Sequence, residues 1–197
     1  MTNKTLDYYN QNAESFIQGT VSVDFKETQD KFLQSLTGKT ILDFGCGSGR
    51  DTKYFIESGY AVTAIDGSEE LCKSASAYTG IQVKHMLFQD LDEVDCYDGI
   101  WACSSILHLP KEELKIVSQK MSRALKQNGI IYTSFKYGNF EGERNGRYFT
   151  VFTLDEFKDF ISDVKDIAIE EYWITGDVRP GREEEKWLNL ILRKIAS

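Results

Sequence analysis

The stretch Ile41-Leu42-Asp43-Phe44-Gly45-Cys46-Gly47-Ser48-Gly49-Arg50 decides the fold of this 197-residue chain. An apolar run that stops at a glycine cluster predicts a buried strand over Thr40–Phe44, followed by a tight turn and a helix over residues 50–58. Glycine lets a backbone turn sharply and approach a flat ligand without a collision at Cβ. Because open α/β sheets bind ligands beyond the carboxyl ends of their strands, we expect this turn to border a binding site.

The same alternation of strand and helix continues outward from this turn. Strand patterns occupy residues 61–65, 82–87, 97–103 and 130–135, with helical patterns after Ser68 and from Leu114 to a stop at residues 128–129. Residues 153–156 read as a capping box that begins one more helix. The last two strand patterns, 167–174 and 186–193, have no helix between them, which predicts an antiparallel hairpin at one end of the sheet. Residues 1–38 hold two amphipathic helical patterns and form a lid or flank on a core of residues 39–197, so we predict one domain over 1–197.

Composition limits the classes of function. The chain has 23 Lys and Arg against 31 Asp and Glu, a net charge of -8, which disfavours a broad nucleic-acid surface. No apolar run is long enough to span a membrane and the first ten residues are too polar for a secretory signal, so we expect a cytoplasmic protein. The four cysteines form no CxxC pair, and no metal site is predicted.

Three predicted strands each end close to an acid. Asp43 precedes the glycine cluster, Asp66 ends the second strand, and Asp90 follows the third. Asp66 stands where a carboxylate accepts bonds from both hydroxyls of a ribose. Asp90 suits the amino group of adenine, with Leu91 covering the ring. We therefore expect the glycine turn and the three acids to form one cradle.

Arg50 stands where a dinucleotide fingerprint GxGxxG needs Gly or Ala, which disfavours a nicotinamide dehydrogenase. A cation at a helix N-terminus opposes the helix dipole, so Arg50 indicates an external anion such as an amino-acid carboxylate. The alternative is a surface arginine paired with Asp51.

Four segments together resemble the class I S-adenosylmethionine-dependent methyltransferases: LDFGCGSGR, VTAIDGSEE, FQDLD and DGIWACSSILHLP. The resemblance implies a Rossmann-like three-layer sandwich, with a seven-stranded, mostly parallel sheet whose last strand is antiparallel. It also implies S-adenosylmethionine as donor and S-adenosylhomocysteine as product. The donor contacts that it implies are Tyr9, Phe16, Gly45, Cys46, Gly47, Arg50, Asp66, Gly67, Gln89, Asp90, Leu91, Ala102, Cys103 and Ser104.

The acceptor side is less specific. His108 follows the fourth strand, from which it could take a proton from an acceptor, although this stretch could equally be a pocket wall. Cations and aromatics gather in the loops at the same edge, and we predict that they bind a small, anionic acceptor: Lys136, Tyr137, Arg147, Arg179 and Arg182. Alternatively, Glu141, Glu143 and residues 183–185 neutralise these cations in solvated loops.

Two other functions stay open. An RNA or protein methyltransferase would want an extended basic face or an added recognition domain. A non-catalytic regulator would keep the donor pocket without turnover. The oligomeric state is not indicated by the sequence.

Overall fold

The computed structural model describes residues 1–182 and 184–195 of the chain. The strands in these residues are β1 (Thr40–Phe44), β2 (Ala61–Asp66), β3 (Lys84–His85), β4 (Tyr97–Ala102), β5 (Leu125–Lys136), β6 (Phe140–Arg144), β7 (Arg147–Val151), β8 (Ile167–Gly176) and β9 (Lys186–Lys194). The helices are α1 (Asn3–Gln11), α2 (Ala13–Thr20), α3 (Lys26–Ser35), α4 (Arg50–Glu57), α5 (Glu69–Thr79), α6 (Lys111–Ala124) and α7 (Leu154–Ser162). Short 3-10 turns cover Phe88–Asp90 and Ile106–His108. In this part of the chain, no helix combines the length and the apolar character that crossing a bilayer requires.

Seven of these strands form one sheet, in the order β3-β2-β1-β4-β5-β9-β8. The neighbours from β3 to β5 are parallel, whereas β9 runs antiparallel to both β5 and β8. The predicted seven-stranded, mostly parallel sheet with an antiparallel last strand is therefore confirmed. Strand order reverses between β1 and β4, so the carboxyl ends of these two strands are the switch point at which such sheets bind ligands.

Helices cover both faces of the sheet. Leu42 of β1 belongs to a buried cluster with Leu114 of α6, whereas the preceding residue, Ile41, belongs to a second cluster with Phe32 of α3 and Phe55 of α4. All five side chains are at most 1% exposed. Burial on both faces explains why β1 is almost continuously apolar rather than alternating.

The N-terminal segment contains three helices where the sequence predicts two. Asn12, with φ -114° and ψ 18°, lies between α1 and α2 and breaks what would be one helix. Both of these helices contribute side chains to the cavity described below, among them Tyr9 and Phe16. The third helix, α3, packs on the sheet through Phe32 instead. Only the first part of the predicted lid or flank thus lies over the ligand side.

Two predicted boundaries are wrong. The helix predicted to stop at residues 128–129 ends at Ala124, because Leu125 already pairs with Tyr97 in the sheet. Asn128, with φ +65°, then lies where the register between β4 and β5 shifts. The third strand is also shorter than the predicted 82–87, since only Lys84–His85 pairs with β2.

The segment after β5 forms a β-hairpin rather than the predicted loop. Strands β6 and β7 pair antiparallel, and Asn145 and Gly146 between them have φ of +52° and +76°. Two successive residues with positive φ are typical of the two-residue turn that matches strand twist, and Asn-Gly is its strongest sequence signal. The hairpin was therefore readable from the sequence, and it carries Arg147 to the ligand side of the sheet.

Candidate functional site

The glycine turn between β1 and α4 depends on backbone conformations that other residues rarely adopt. Gly45 and Gly47 have φ of +89° and +55°. The N–H groups of Gly45 and Cys46 both donate to the carbonyl of Ile65 at the end of β2, at 3.0 and 2.9 Å. A Cβ at Gly45 would lie 2.6 Å from Cβ of Ser105. The turn is therefore pressed between two neighbouring strand ends and requires glycine.

A cavity of about 180 Å³ lies directly beyond this turn, at the switch point of the sheet. Its walls come from the glycine turn, the ends of β2, β4 and β5, helices α1 and α2, the hairpin, and the segment that joins β8 to β9. The structure brings most of the predicted site residues to these walls: Tyr9, Phe16, Gly45, Cys46, Gly47, Arg50, Asp66, Gly67, Cys103, Ser104, His108, Lys136, Arg147, Arg179 and Arg182. It does not bring there Gln89, Asp90, Leu91, Ala102 and Tyr137.

Of the three strand-end acids, only Asp66 faces the cavity. Its Oδ2 accepts from the N–H of Gly47 at 2.9 Å and its Oδ1 from the N–H of Ser68 at 2.8 Å. Burial raises the pKa of Asp66, and these backbone donors oppose the rise. Asp43 is 1% exposed and instead accepts from Oγ1 of Thr52 on α4, at 2.6 Å. The expected cradle of three carboxylates is therefore not formed.

The segment predicted to hold adenine contributes a different residue. Phe88 lines the cavity, whereas Asp90 is exposed and Leu91 is fully buried in the core. Gln89 donates through Nε2 to Oε2 of Glu113 at 2.6 Å. Residues 88–90 form a 3-10 turn, in which successive side chains diverge by about a third of a turn, so one side chain of the three faces the cavity.

Arg50 pairs with its neighbour Asp51, as the alternative interpretation supposes. Its Nε and Nη2 donate to the two oxygens of Asp51 at 2.8 and 3.0 Å. The pair is not at the surface, because the two side chains are only 18% and 10% exposed. Burial lowers the pKa of Arg50, but the adjacent carboxylate outweighs it and raises the pKa overall.

Asp51 is a wall residue that the sequence did not identify as part of the site. Besides Arg50, it accepts from Nε2 of Gln29 at 2.6 Å and from Nε1 of Trp101 at 2.9 Å. It thereby connects α3, α4 and β4 behind the glycine turn. Its only sequence signal is its place in the first turn of α4, where an acid is common because it complements the helix dipole.

A tyrosine of the lid is hydrogen-bonded to His108. Nδ1 of His108 lies 2.7 Å from the carbonyl oxygen of Tyr148 and Nε2 lies 2.8 Å from the hydroxyl of Tyr9. A carbonyl only accepts, so Nδ1 carries the proton and Nε2 accepts from Tyr9. Burial lowers the pKa of His108 to about 4, which makes the imidazole neutral at physiological pH.

The predicted acceptor cations differ in their partners. Lys136 donates to Glu185 at 2.5 Å, and Arg179 binds both oxygens of Asp177, at 2.9 and 2.5 Å. Burial tends to raise the pKa of Asp177, but the bonds from Arg179 outweigh it and lower the pKa to about 2. Lys136 and Arg179 are therefore neutralised by carboxylates, as the alternative interpretation supposes, although the partner of Arg179 is Asp177 rather than one of the predicted glutamates. Position 183, one of those glutamates, lies outside the described residues.

Arg147 is the exception among these cations. Its guanidinium lies over the rings of Tyr8 and Phe149, at 4.5 and 5.1 Å from their centroids. Its Nε is buried and has no hydrogen-bond partner. Arg182, by contrast, is exposed at the rim.

These features define the class of the molecule: a Rossmann-like α/β protein with a cavity at the switch point of its sheet. The sequence model of the family described as "Methyltransferase domain" matches residues 41–129. A Bacillus subtilis (strain 168) protein assigned as methyltransferase YqeM is 33% identical over 107 residues, which cover 49% of this chain and 43% of that protein. The chain thus spans less than half the length of this curated relative.

Two solved structures share the fold over nearly the whole chain. The Burkholderia thailandensis 1,6-didemethyltoxoflavin-N1-methyltransferase, with bound 1,6-didemethyltoxoflavin and S-adenosylhomocysteine, has a TM-score of 0.76, 18% identity, and coverage of 97% of this chain and 85% of that one. The cyclase SpnF has a TM-score of 0.71, 14% identity, and coverage of 98% and 97%. One fold here serves two reactions, so the fold does not by itself define the chemistry.

Residues 41–129 of this chain thus match the methyltransferase domain family, and the fold is shared with a solved methyltransferase that binds S-adenosylhomocysteine. The matched residues begin in β1 and end in β5, so they contain the glycine turn, Asp66 and His108.

Proposed function

We propose that the cavity binds S-adenosylmethionine and that the chain transfers the donor's methyl group to a small molecule. The observation that carries the proposal is the glycine turn standing beside Asp66 at the switch point of the sheet. The turn removes side chains where a flat ligand must approach, and a carboxylate after the second strand suits a ribose. The solved methyltransferase with S-adenosylhomocysteine supports the same choice of donor.

Asp66 fits a ribose diol in its chemistry as well as in its place. Its oxygens accept backbone hydrogen bonds from Gly47, Ser68 and Gly67. A carboxylate offers about four lone-pair sites, so a site remains for a ribose hydroxyl. Leu71 and Phe88 line the cavity as well and supply apolar surface for a purine.

We assign the donor site to the predicted residues on the cavity wall: Tyr9, Phe16, Gly45, Cys46, Gly47, Arg50, Asp66, Gly67, Cys103 and Ser104. Donor contacts from Gln89, Asp90, Leu91 and Ala102 stay predictions that would need a local rearrangement. When bound, the donor supplies an electrophilic methyl group on a positively charged sulfur. The protein's part is orientation, which contributes about 7–11 kcal/mol to reactions of this kind.

His108 is our proposed proton acceptor, acting through Tyr9. Its Nε2 lone pair is already bound by the Tyr9 hydroxyl, so an acceptor cannot reach it directly. The O–H or N–H group of the methyl acceptor can instead donate its proton to the Tyr9 oxygen, while the Tyr9 hydroxyl proton moves to Nε2 of His108. The imidazole is neutral, as this role requires, but a pKa of about 4 makes it a weak base, so its contribution should lie below the ~10²- to 10⁴-fold of a base whose pKa is close to the operating pH.

A small acceptor fits the setting better than a polymer. Helices α1 and α2 and the hairpin all contribute to the cavity walls, so a large substrate would have to displace them. The net charge of -8 does not favour RNA. An RNA or protein methyltransferase and a non-catalytic donor-binding regulator are the alternatives. We further propose that residues 1–197 form a single, cytoplasmic methyltransferase domain.

Calorimetric titration tests the donor site. S-adenosylhomocysteine should bind the wild type with one site per chain, and Asp66→Asn should weaken it by about tenfold or more because bonds to a charged acceptor are lost. Asp92→Asn, an exposed acid outside the cavity, is the matched control and should bind as the wild type does. Asp90→Asn tests the predicted adenine contact.

Product formation with labelled donor across a panel of small metabolites then tests turnover. Donor binding without turnover on any metabolite would favour the regulator. Failure of S-adenosylhomocysteine to bind, or binding of NADH in its place, would contradict the proposal.

A further inference from the structure

The hairpin places Arg147 on the wall of the cavity. It begins β7, directly after the Asn145-Gly146 turn, and pairs across the hairpin with Arg144. The two arginines have different surroundings, because Arg147 lines the cavity whereas Arg144 is exposed and lies over the ring of Phe140 at 4.2 Å. The hairpin therefore presents one arginine to the ligand side and one to solvent.

Three other cations on the wall already have carboxylate partners. Lys136 binds Glu185, Arg179 binds Asp177 with two bonds, and Arg50 binds Asp51 with two bonds. Within the described residues, no acidic side chain forms an ion pair with Arg147. Arg147 is half-buried, and within residues 1–182 and 184–195 it lines the cavity with a buried Nε that has no hydrogen-bond partner.

The neutral groups around Arg147 do not supply the missing anion. The nearby imidazole of His108 donates its only proton to Tyr148, and its other nitrogen accepts from Tyr9. Both side chains are therefore uncharged in this arrangement. Arg147 lies instead over ring faces, those of Tyr8, Tyr9 and Phe149, at 4.5, 5.9 and 5.1 Å from their centroids, and it also has a side-chain hydrogen bond with Tyr9.

Ring stacking leaves the edge of a guanidinium free to donate. A guanidinium has five N–H donors in one plane, and its geometry matches the two oxygens of a carboxylate. The buried Nε without a partner is one of these donors. A buried donor without a partner is unfavourable, and a ligand oxygen that accepts from it would remove that cost on binding. Phe149 and Trp187 add aromatic wall beside it.

We propose that Arg147 anchors a carboxylate group of the methyl acceptor, so that the substrate class is a small carboxylic acid with an apolar or aromatic body. This inference rests on the proposed function, since it places the acceptor in the same cavity as the donor. Arg147 would thus have a different role from Lys136 and Arg179, which form ion pairs within the cavity wall.

The test uses the full chain saturated with S-adenosylhomocysteine, titrated with benzoate, phenyl phosphate and the neutral analogue benzamide. Calorimetry gives the affinities, and tryptophan fluorescence, to which Trp187 on the cavity wall contributes, gives a second readout. We compare the wild type with Arg147→Gln, Arg147→Lys and Arg144→Gln. Arg144→Gln is the matched control, because it removes the same charge from the same hairpin outside the cavity.

The expected result is that benzoate binds the wild type more tightly than benzamide or phenyl phosphate. Its affinity should fall by about tenfold or more in Arg147→Gln, less in Arg147→Lys, and not in Arg144→Gln. Undiminished benzoate binding to Arg147→Gln, tighter binding of phenyl phosphate, or no binding of any carboxylate would overturn the inference. The affinity for S-adenosylhomocysteine, measured first on each variant, shows that the variant is folded and tests the proposed function separately.

Discussion

Burial changes the chemistry of single side chains at this site. His108 is 3% exposed, and its pKa falls to about 4 because the charged imidazolium would lose its hydration. Both of its nitrogens still have partners, the carbonyl of Tyr148 and the hydroxyl of Tyr9. The residue is therefore a neutral imidazole with a defined tautomer, and it adds no positive charge beside Arg147.

The depressed pKa of His108 predicts a loss of stability in acid. In the unfolded chain the His108 imidazole is protonated near pH 6.5, whereas in the folded chain it is protonated only near pH 4. The contribution is therefore complete above about pH 6.5 and is lost as the pH falls toward 4, by up to about 3 kcal/mol. Urea unfolding from pH 8 to pH 4 should show this extra loss in the wild type and not in His108→Gln. Parallel stability curves for the two proteins would contradict the prediction.

At the scale of elements, the turn between β1 and α4 connects the fold to the site. Its N–H groups bond the end of β2, Gly47 donates to Asp66, and the side chain of Ser105 after β4 donates to the carbonyl of Phe44 at 2.6 Å. Three strand ends are thereby held together around the cavity. The hairpin β6–β7 also borders the cavity and is joined to α1, because the N–H of Tyr148 donates to Oγ1 of Thr5 at 3.0 Å.

Two glycines with similar φ, Gly45 in this turn and Gly59 after α4, allow the cost of backbone strain to be measured separately from that of steric contact. Gly59 has φ +85° and open space where its Cβ would be, so Gly59→Ala should cost about 1–2 kcal/mol of unfolding free energy. Gly45 has φ +89° and a Cβ would meet Ser105, so Gly45→Ala should cost about 1–3 kcal/mol more. Denaturant unfolding measures both. Equal losses of unfolding free energy in the two variants would mean that the turn at Gly45 relaxes to accept the Cβ, which would contradict the prediction. The affinity for the donor should fall in Gly45→Ala and not in Gly59→Ala.

For the whole molecule, charge is distributed unevenly. The chain has a net charge of -8, yet the described residues on the cavity wall include five cationic side chains, Arg50, Lys136, Arg147, Arg179 and Arg182, against three acidic ones, Asp51, Asp66 and Asp177. An acidic exterior with a locally cationic cavity favours a small anion that enters over a polyanion that must lie along the surface.

This distribution predicts that bulk tRNA does not bind at physiological salt. Binding to a polyanion releases counterions only where several Lys or Arg side chains contact phosphates together. Filter binding or fluorescence anisotropy at increasing salt concentrations measures it. Saturable binding whose logarithm falls steeply with the logarithm of salt concentration would instead favour the RNA methyltransferase alternative.

Most of the fold was predictable because its signals are local. The glycine turn, the cap at Ser68 and the capping box at Thr153 each depend on residues within a few positions, and all three are present as predicted. The end of α6 was not, because Leu125 leaves the helix to pair with Tyr97 in the sheet. The hairpin at Asn145-Gly146 had a local signal that the loop interpretation overlooked.

The sequence by itself determined the sheet, the turn at the switch point and the carboxylate of Asp66 beside it, because apolar periodicity and glycine placement act along the chain. Only the tertiary structure decided which charges are free. Asp90 is outside the cavity, Arg179 is paired, and His108 meets Tyr9 from 99 positions away. Ion pairs and burial depend on which distant segments of the chain come into contact. The free energy of a charged side chain therefore depends on those tertiary contacts rather than on its neighbours in sequence.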